Sequence, residues 1–202
     1  MIYLFVKSTL YLILKLFFGL RVKGLENVPE NGPFIIASNH VSFLDPLAAG
    51  SPIKGKMNYM AKEELFENRA FAWLLHRLNI TPLSREATDT RALRTAIKKL
   101  KNDEGILLFP EGTRSSDGNL MEAKIGVSVL SYVTDACVVP AYVKGTYEIL
   151  PVGCAGIKRG KIAVSYGKPM QPPHISKETK KQDYYKFAQG VMSAIKSLRD
   201  TI

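Results

Sequence analysis

A histidine and an aspartate, His40 and Asp45, sit in the stretch Ser38-Asn39-His40-Val41-Ser42-Phe43-Leu44-Asp45-Pro46. On one continuous helix two residues at that spacing would point about 140° apart, so their side chains can meet only where the chain turns between them. The neighbouring residues supply a turn. The apolar run Phe34-Ile35-Ile36-Ala37 reads as a strand, Ser42 and Asp45 are both favoured at a helix start, and Pro46 suits the first helical position. This predicts a strand-to-helix elbow in which Asp45 accepts a hydrogen bond from one ring nitrogen of His40. The other nitrogen is then free to take a proton from a substrate hydroxyl, a chemistry that needs no serine or cysteine nucleophile. The pair alone is better explained by a capped helix beside a partly exposed histidine.

A second stretch, Ile106-Leu107-Leu108-Phe109-Pro110-Glu111-Gly112-Thr113-Arg114-Ser115, runs from a buried strand into a polar loop. The loop holds a carboxylate, a glycine that lets backbone amides approach a ligand, and an arginine able to form bidentate bonds to phosphate. Arg85 follows another candidate strand, Leu78 to Leu83. Ligands of open α/β sheets bind at the carboxyl ends of strands, and two arginines there would hold a phosphate monoester better than lysines, because the guanidinium fork matches its oxygens. Either arginine taken singly reads as a surface residue.

The elements that must position these groups follow from periodicity. Candidate strands are 33 to 38, 57 to 61, 78 to 83, 105 to 109, 137 to 143 and 161 to 166, each bounded by Gly, Pro or polar residues. Helices are expected near 45 to 51, 69 to 77, 87 to 102, 124 to 134 and 179 to 199. In the third of these Ala92, Leu93, Ala96, Ile97 and Leu100 form one apolar stripe, with Arg91, Arg94, Lys98, Lys99 and Lys101 outside it. The alternation predicts an α/β fold with a single sheet flanked by helices on both faces, in a domain spanning residues 22–202.

Twenty-eight Lys and Arg against 18 Asp and Glu give a formal charge of +10, which points to an anionic partner and does not say which. No nucleic acid is expected, since aromatic residues are not interleaved with the basic ones as in stacking platforms. Cys137 and Cys154 lie too far apart for a Cys-x-x-Cys site, and Cys137 is embedded in an apolar run; neither a metal nor a disulfide is expected.

Residues 1–21 form a separate segment, almost wholly apolar up to Leu20 and close to the length that spans a bilayer. Lys7, Ser8, Tyr11 and Lys15 nevertheless share a narrow polar stripe, which suits a helix lying in the interface with its lysines snorkelling to phosphates. A cleaved signal peptide is not expected, because lysines interrupt the apolar region and no small-x-small site follows.

The two motifs Asn39 to Asp45 and Phe109 to Ser115, in this order and about 70 residues apart, resemble the glycerolipid acyltransferases of the 1-acylglycerol-3-phosphate acyltransferase family. The resemblance extends through Gly24 to Pro29, Ala61 to Leu65, Arg85 and Val139-Pro140, roughly residues 22 to 145. It implies transfer of an acyl group from acyl-CoA or acyl-carrier protein to a hydroxyl of a lysophospholipid, with His40 as base and Asp45 as its partner. It further implies acceptor binding by Arg85 and by Glu111, Gly112, Thr113, Arg114 and Ser115, with Asn39, Ser42 and Lys62 in support. No cofactor is implied beyond the acyl donor, which is a substrate. A membrane surface is the implied partner, and the cytoplasmic face of the inner membrane the implied location. Members often carry Phe-Lys-x-Gly after the second motif, whereas this chain has Ala123-Lys124-Ile125-Gly126.

Glu111 is unsuited to touch a dianionic phosphate and is expected to anchor Arg85 or Arg114, or to bond an acceptor hydroxyl. Backbone amides after Asp45 are the expected donors to the reaction's oxyanion. Glycerol 3-phosphate or a lyso-aminolipid would fit the same motifs as acceptor. A non-catalytic protein that binds anionic lipids would explain the charge and leave His40 and Asp45 without a task.

Overall fold

The computed structural model describes residues 2–83, 90–154, 156–176 and 178–202. In chain order, helix α1 (Ile2–Phe18) precedes β1 (Arg21–Lys23), β2 (Phe34–Ser38), α2 (Asp45–Gly50), β3 (Met57–Lys62), α3 (Arg69–Arg77) and β4 (Ile80–Leu83). The second half contains α4 (Thr90–Lys101), β5 (Gly105–Leu108), α5 (Gly126–Thr134), β6 (Cys137–Lys144), α6 (Thr146–Ile149), β7 (Ala163–Tyr166) and α7 (Lys180–Leu198). One seven-stranded sheet has the order β1-β7-β6-β2-β5-β3-β4. The run from β6 to β4 is parallel, and β7 pairs antiparallel with β6, so β7 and β1 point the other way.

All five residues of β2 are buried, as a central strand covered on both faces requires. Its side chains divide by the two-residue period: Phe34 and Ile36 enter one core with Leu44, Ala48, Leu107 and Val139, on the side of α1 and α2. Ile35 and Ala37 enter the other, with Ala96 and Leu100 of α4, Val127 and Leu130 of α5, and Ala188, Val191 and Ile195 of α7. The apolar stripe of α4 faces this second core as its spacing predicts. Two elements escape the periodicity. The strand β1 has one apolar residue in three and exists through its pairing with β7, and α6 is only one turn long. Cys137, expected inside, is half-buried at the start of β6.

The first helix differs from the expected interfacial arrangement. Leu14 and the following Leu20 belong to the core that includes Ile36, and the Tyr3 hydroxyl accepts a hydrogen bond from Met57 N at 2.8 Å. Lys7 lies on this inner side. Its Nζ donates to Ile53 O and, at 2.7 Å, to Gly55 O, carbonyls in the turn after α2. Lys7 and Tyr11 therefore face the domain rather than lipid phosphates. The outward side carries Leu4, Phe5, Leu12, Ile13, Leu16 and Phe17, of which Phe5, Leu16 and Phe17 are at least 70% exposed. Among the described residues no helix is long and apolar enough to cross a membrane.

Candidate active site

Because β5 and β6 flank β2, the loops leaving these three strands converge at one edge of the sheet. The connection leaving β2 runs to β3 and the one leaving its neighbour β5 runs the opposite way to β6, and adjacent strands whose connections part in this manner are where a doubly wound sheet opens a crevice. The first loop carries His40 and Asp45, the second Glu111 to Ser115, and the third Thr146.

The chain does turn between His40 and Asp45, and the two side chains meet: Nδ1 of His40 lies 2.9 Å from Oδ2 of Asp45. The same Oδ2 accepts from Val41 N at 2.6 Å and Ser42 N at 2.7 Å, and Oδ1 accepts from the Thr146 hydroxyl at 2.5 Å. Asp45 is fully buried, and these four donors compensate a carboxylate that would otherwise be prohibitive to desolvate. Occupation of Nδ1 leaves Nε2 as the nitrogen available to a substrate. The helix start is built differently from the sequence expectation. Leu44, not Ser42 or Asp45, is the N-cap of α2; the Ser42 hydroxyl accepts from Leu44 N and donates to Leu150 O at 2.7 Å, and Asp45 sits inside the helix with its carboxylate folded back.

The second loop holds the histidine from behind. Glu111 Oε1 accepts from His40 N at 3.0 Å and Ser115 N donates to His40 O at 2.8 Å, while the Phe109 ring stacks on the imidazole with centroids 3.7 Å apart. The other Glu111 oxygen accepts from Met121 N at 3.1 Å. Glu111 is thus buried and committed to backbone amides; it anchors neither Arg114 nor a ligand hydroxyl in this arrangement, and it is a positioning residue for His40. Burial pushes its carboxyl above the ordinary range and the Asp45 charge adds to this, while the two amides oppose them. Ser115 is also buried, its hydroxyl donating to Asp117 at 2.7 Å.

Asn39 extends β2 beyond its last strand residue: its side-chain amide donates to Val143 O at 2.9 Å and its carbonyl accepts from Val143 N at 2.7 Å. Gly112 and Thr113 are exposed. Gly112 has φ +73°, and a Cβ there would lie 2.8 Å from Lys124 Nζ, so the amine of Lys124 overhangs the loop. Lys62 is exposed at the carboxyl end of β3. Arg85 lies outside the described residues.

Arg114 stands beside the dyad. Its guanidinium lies 3.6 Å from the centroid of the Phe43 ring, it feels the charge of Asp45, and burial lowers its pKa. One guanidinium nitrogen, Nη1, is buried without a hydrogen-bond partner. Unlike Asp45, this charged group retains a buried donor nitrogen without a partner. The proposed oxyanion donors are fewer than expected: Asp45 N donates to Ser42 O, Pro46 has no N–H and Ala48 N donates to Leu44 O, which leaves at most the Leu47 amide.

Thr146 was not singled out by the sequence. Gly145 precedes it with φ +90°, and a Cβ at Gly145 would lie 1.9 Å from Lys161 O, so glycine is needed to bring the next residue under Asp45. A Gly-Thr pair directly after the carboxyl end of a strand beside β2 was the available signal.

A histidine held by a saturated carboxylate, next to an under-satisfied arginine at the carboxyl edge of a mixed sheet, defines an α/β site suited to activating a hydroxyl near an anion. The chain belongs to the acyltransferase family, whose model matches residues 19–144. It is similar to the 1-acyl-sn-glycerol-3-phosphate acyltransferase of Bacillus subtilis (strain 168), with 29% identity over 99% of this chain and 98% of that protein. A chloroplastic protein of the same activity name from Arabidopsis thaliana is 33% identical over 76% of this chain and 44% of its own length. The crystal structure of the 1-acyl-sn-glycerophosphate acyltransferase PlsC from Thermotoga maritima superposes with a TM-score of 0.73 at 31% identity, covering 94% of this chain and 78% of that one.

Proposed function

We propose that the protein moves a fatty acyl group from an acyl thioester, carried by coenzyme A or acyl-carrier protein, to the free hydroxyl of 1-acylglycerol 3-phosphate, giving phosphatidic acid. The observation that carries this reading is the His40–Asp45 contact with the unsatisfied Arg114 beside it. Nε2 of His40 takes the hydroxyl proton as the oxygen attacks the thioester carbonyl. Asp45 stabilises the imidazolium. Collapse of the tetrahedral intermediate breaks the carbon–sulfur bond, and the imidazolium returns the proton to the departing thiolate. General-base assistance of this kind contributes about 10²- to 10⁴-fold. Arg114, together with Arg85, holds the acceptor phosphate, and the chain's formal charge of +10 favours anionic substrates. The names of the relatives in Bacillus, Arabidopsis and Thermotoga support the choice of acceptor.

The enzyme works at a membrane, on the cytoplasmic face of the inner membrane where thioester donors are soluble and the acceptor is not. The outer side of α1 supports this: full burial of Phe5, Leu16 and Phe17 would contribute about 5 to 9 kcal/mol gross, enough for peripheral attachment without a span. An acyl-transfer assay in the presence of vesicles, offering both donor types against 1-acylglycerol 3-phosphate, glycerol 3-phosphate and a lyso-aminolipid, tests the reading. The highest kcat/KM is expected for 1-acylglycerol 3-phosphate. Preference for another acceptor would reassign the substrate, and no transfer to any would remove the function.

A further inference from the structure

On the side of the domain that carries α1, a cleft of about 390 Å³ is lined by Ile2, Tyr3, Lys56, Arg77 and Asn79. It joins the beginning of α1 to the end of α3. Lys56 precedes β3 and Asn79 precedes β4, so the cleft lies at the amino ends of these strands, at the edge of the sheet opposite His40. Its two cations are exposed, and among the described residues neither is paired with a carboxylate. The neighbouring Lys54, by contrast, is engaged by Glu30 at 2.5 Å. One turn before Arg77 on α3, Trp73 is 54% exposed and the Arg77 guanidinium sits 5.1 Å from the centroid of its ring. A cation held against an exposed indole, next to a helix whose outer side is apolar, matches the composition of a bilayer interface, where amphipathic aromatic rings lie at headgroup depth and basic side chains meet phosphates.

We propose that this cleft binds the phosphate of an anionic phospholipid in the bilayer, with Lys56 and Arg77 as the charged contacts and Trp73 seated at the interface. The proposal rests on the membrane-facing reading of α1 and adds a second contact, so that the bilayer meets both α1 and α3. The catalytic edge is then held at a fixed tilt to the lipid from which the acceptor comes, while the cleft itself takes no part in the reaction.

Trp73 is the chain's only tryptophan, so its emission reports this contact without labels. The protein is tested for co-sedimentation with vesicles of phosphatidylcholine alone and of phosphatidylcholine with phosphatidylglycerol. Trp73 quenching by brominated lipid is measured in the same samples. The double variant K56Q/R77Q should bind the anionic vesicles about 25-fold more weakly, about fivefold per basic residue, with unchanged binding to neutral vesicles and unchanged turnover of a short-chain, water-soluble acceptor. The double variant F5D/F17D should weaken binding to both kinds of vesicle, which examines the α1 reading separately. Equal affinity of K56Q/R77Q and wild type for anionic vesicles would overturn the proposal, as would Trp73 emission that stays unquenched in vesicle-bound protein. A Trp73 response to inorganic phosphate alone, with none to vesicles, would make the cleft a site for soluble anions instead.

Discussion

The elbow around Asp45 and the outer side of α1 solve opposite problems. At the elbow a charged group is fully buried, and every oxygen is satisfied by donors from Val41, Ser42, His40 and Thr146. On α1 large apolar side chains are left in the open, while Lys7 is turned inward to carbonyls after α2. A buried carboxylate persists only when its hydrogen-bonding capacity is filled, whereas an exposed apolar patch marks an interaction surface, with a membrane or another molecule. The first arrangement fixes the orientation of the His40 ring, and on the proposed membrane attachment the second would fix a location. Arg114 falls between them: it is partly buried, charged, and still has a donor without a partner.

Asp45→Asn should have the largest effect on this contrast. The amide oxygen can replace Oδ2, and the NH2 group can donate to the Thr146 hydroxyl, so the fold is retained while the negative charge opposite the imidazolium disappears. Turnover should fall by at least about 10²-fold with little change in melting temperature. Loss of the fold in this variant would show that the charge itself supports the structure.

Arg114→Ala removes a charge-assisted contact, which costs roughly 1.5 to 3 kcal/mol, or about 10- to 150-fold in kcat/KM for the acceptor. Donor kinetics measured at saturating acceptor should be unaffected; a change confined to the donor would assign Arg114 to the phosphates of coenzyme A.

Thr146→Val removes one donor from Asp45 and leaves three. A decrease of about tenfold in kcat is expected, recovered by Thr146→Ser, together with a loss of roughly 1 to 3 kcal/mol in stability. If serine restored stability and not kcat, the methyl group rather than the hydroxyl would matter to the reaction.

The smallest effect belongs to α1. Burial lowers the Lys7 pKa to about 8, below its ordinary value of 10.5. Between these values the unfolded chain binds more protons at this position than the folded protein, so Lys7 makes stability rise with pH across the window. The stability of wild type minus that of Lys7→Met, read by urea denaturation, should therefore grow from pH 8 to 10.5. A difference independent of pH would mean that the lysine keeps its proton in the folded state throughout.

The pairing of His40 with Asp45 was legible because both lie in one short turn whose signals, a preceding apolar run and Pro46, are local. Their further partners were not. Thr146 is 101 residues beyond Asp45 and Glu111 is 71 beyond His40, and only the register of β5 and β6 against β2 brings them in. The sequence placed Glu111 in the right loop but assigned it a ligand or an arginine, since the backbone amides that occupy it carry no sequence signature. The same distinction holds for α1. Its apolar content could be read directly, whereas its orientation depends on acceptors 46 and 48 residues away, at Ile53 and Gly55.

The most direct measurement is the rate of acyl transfer to 1-acylglycerol 3-phosphate by His40→Ala, on protein shown to be folded by its melting transition and bound to vesicles as wild type is. Nothing else at the elbow offers a neutral base with a free nitrogen, so a loss of at least about 10²-fold in kcat is predicted, with donor and acceptor binding retained. Turnover near that of wild type in the folded, membrane-bound variant would contradict the assignment of His40 as the base.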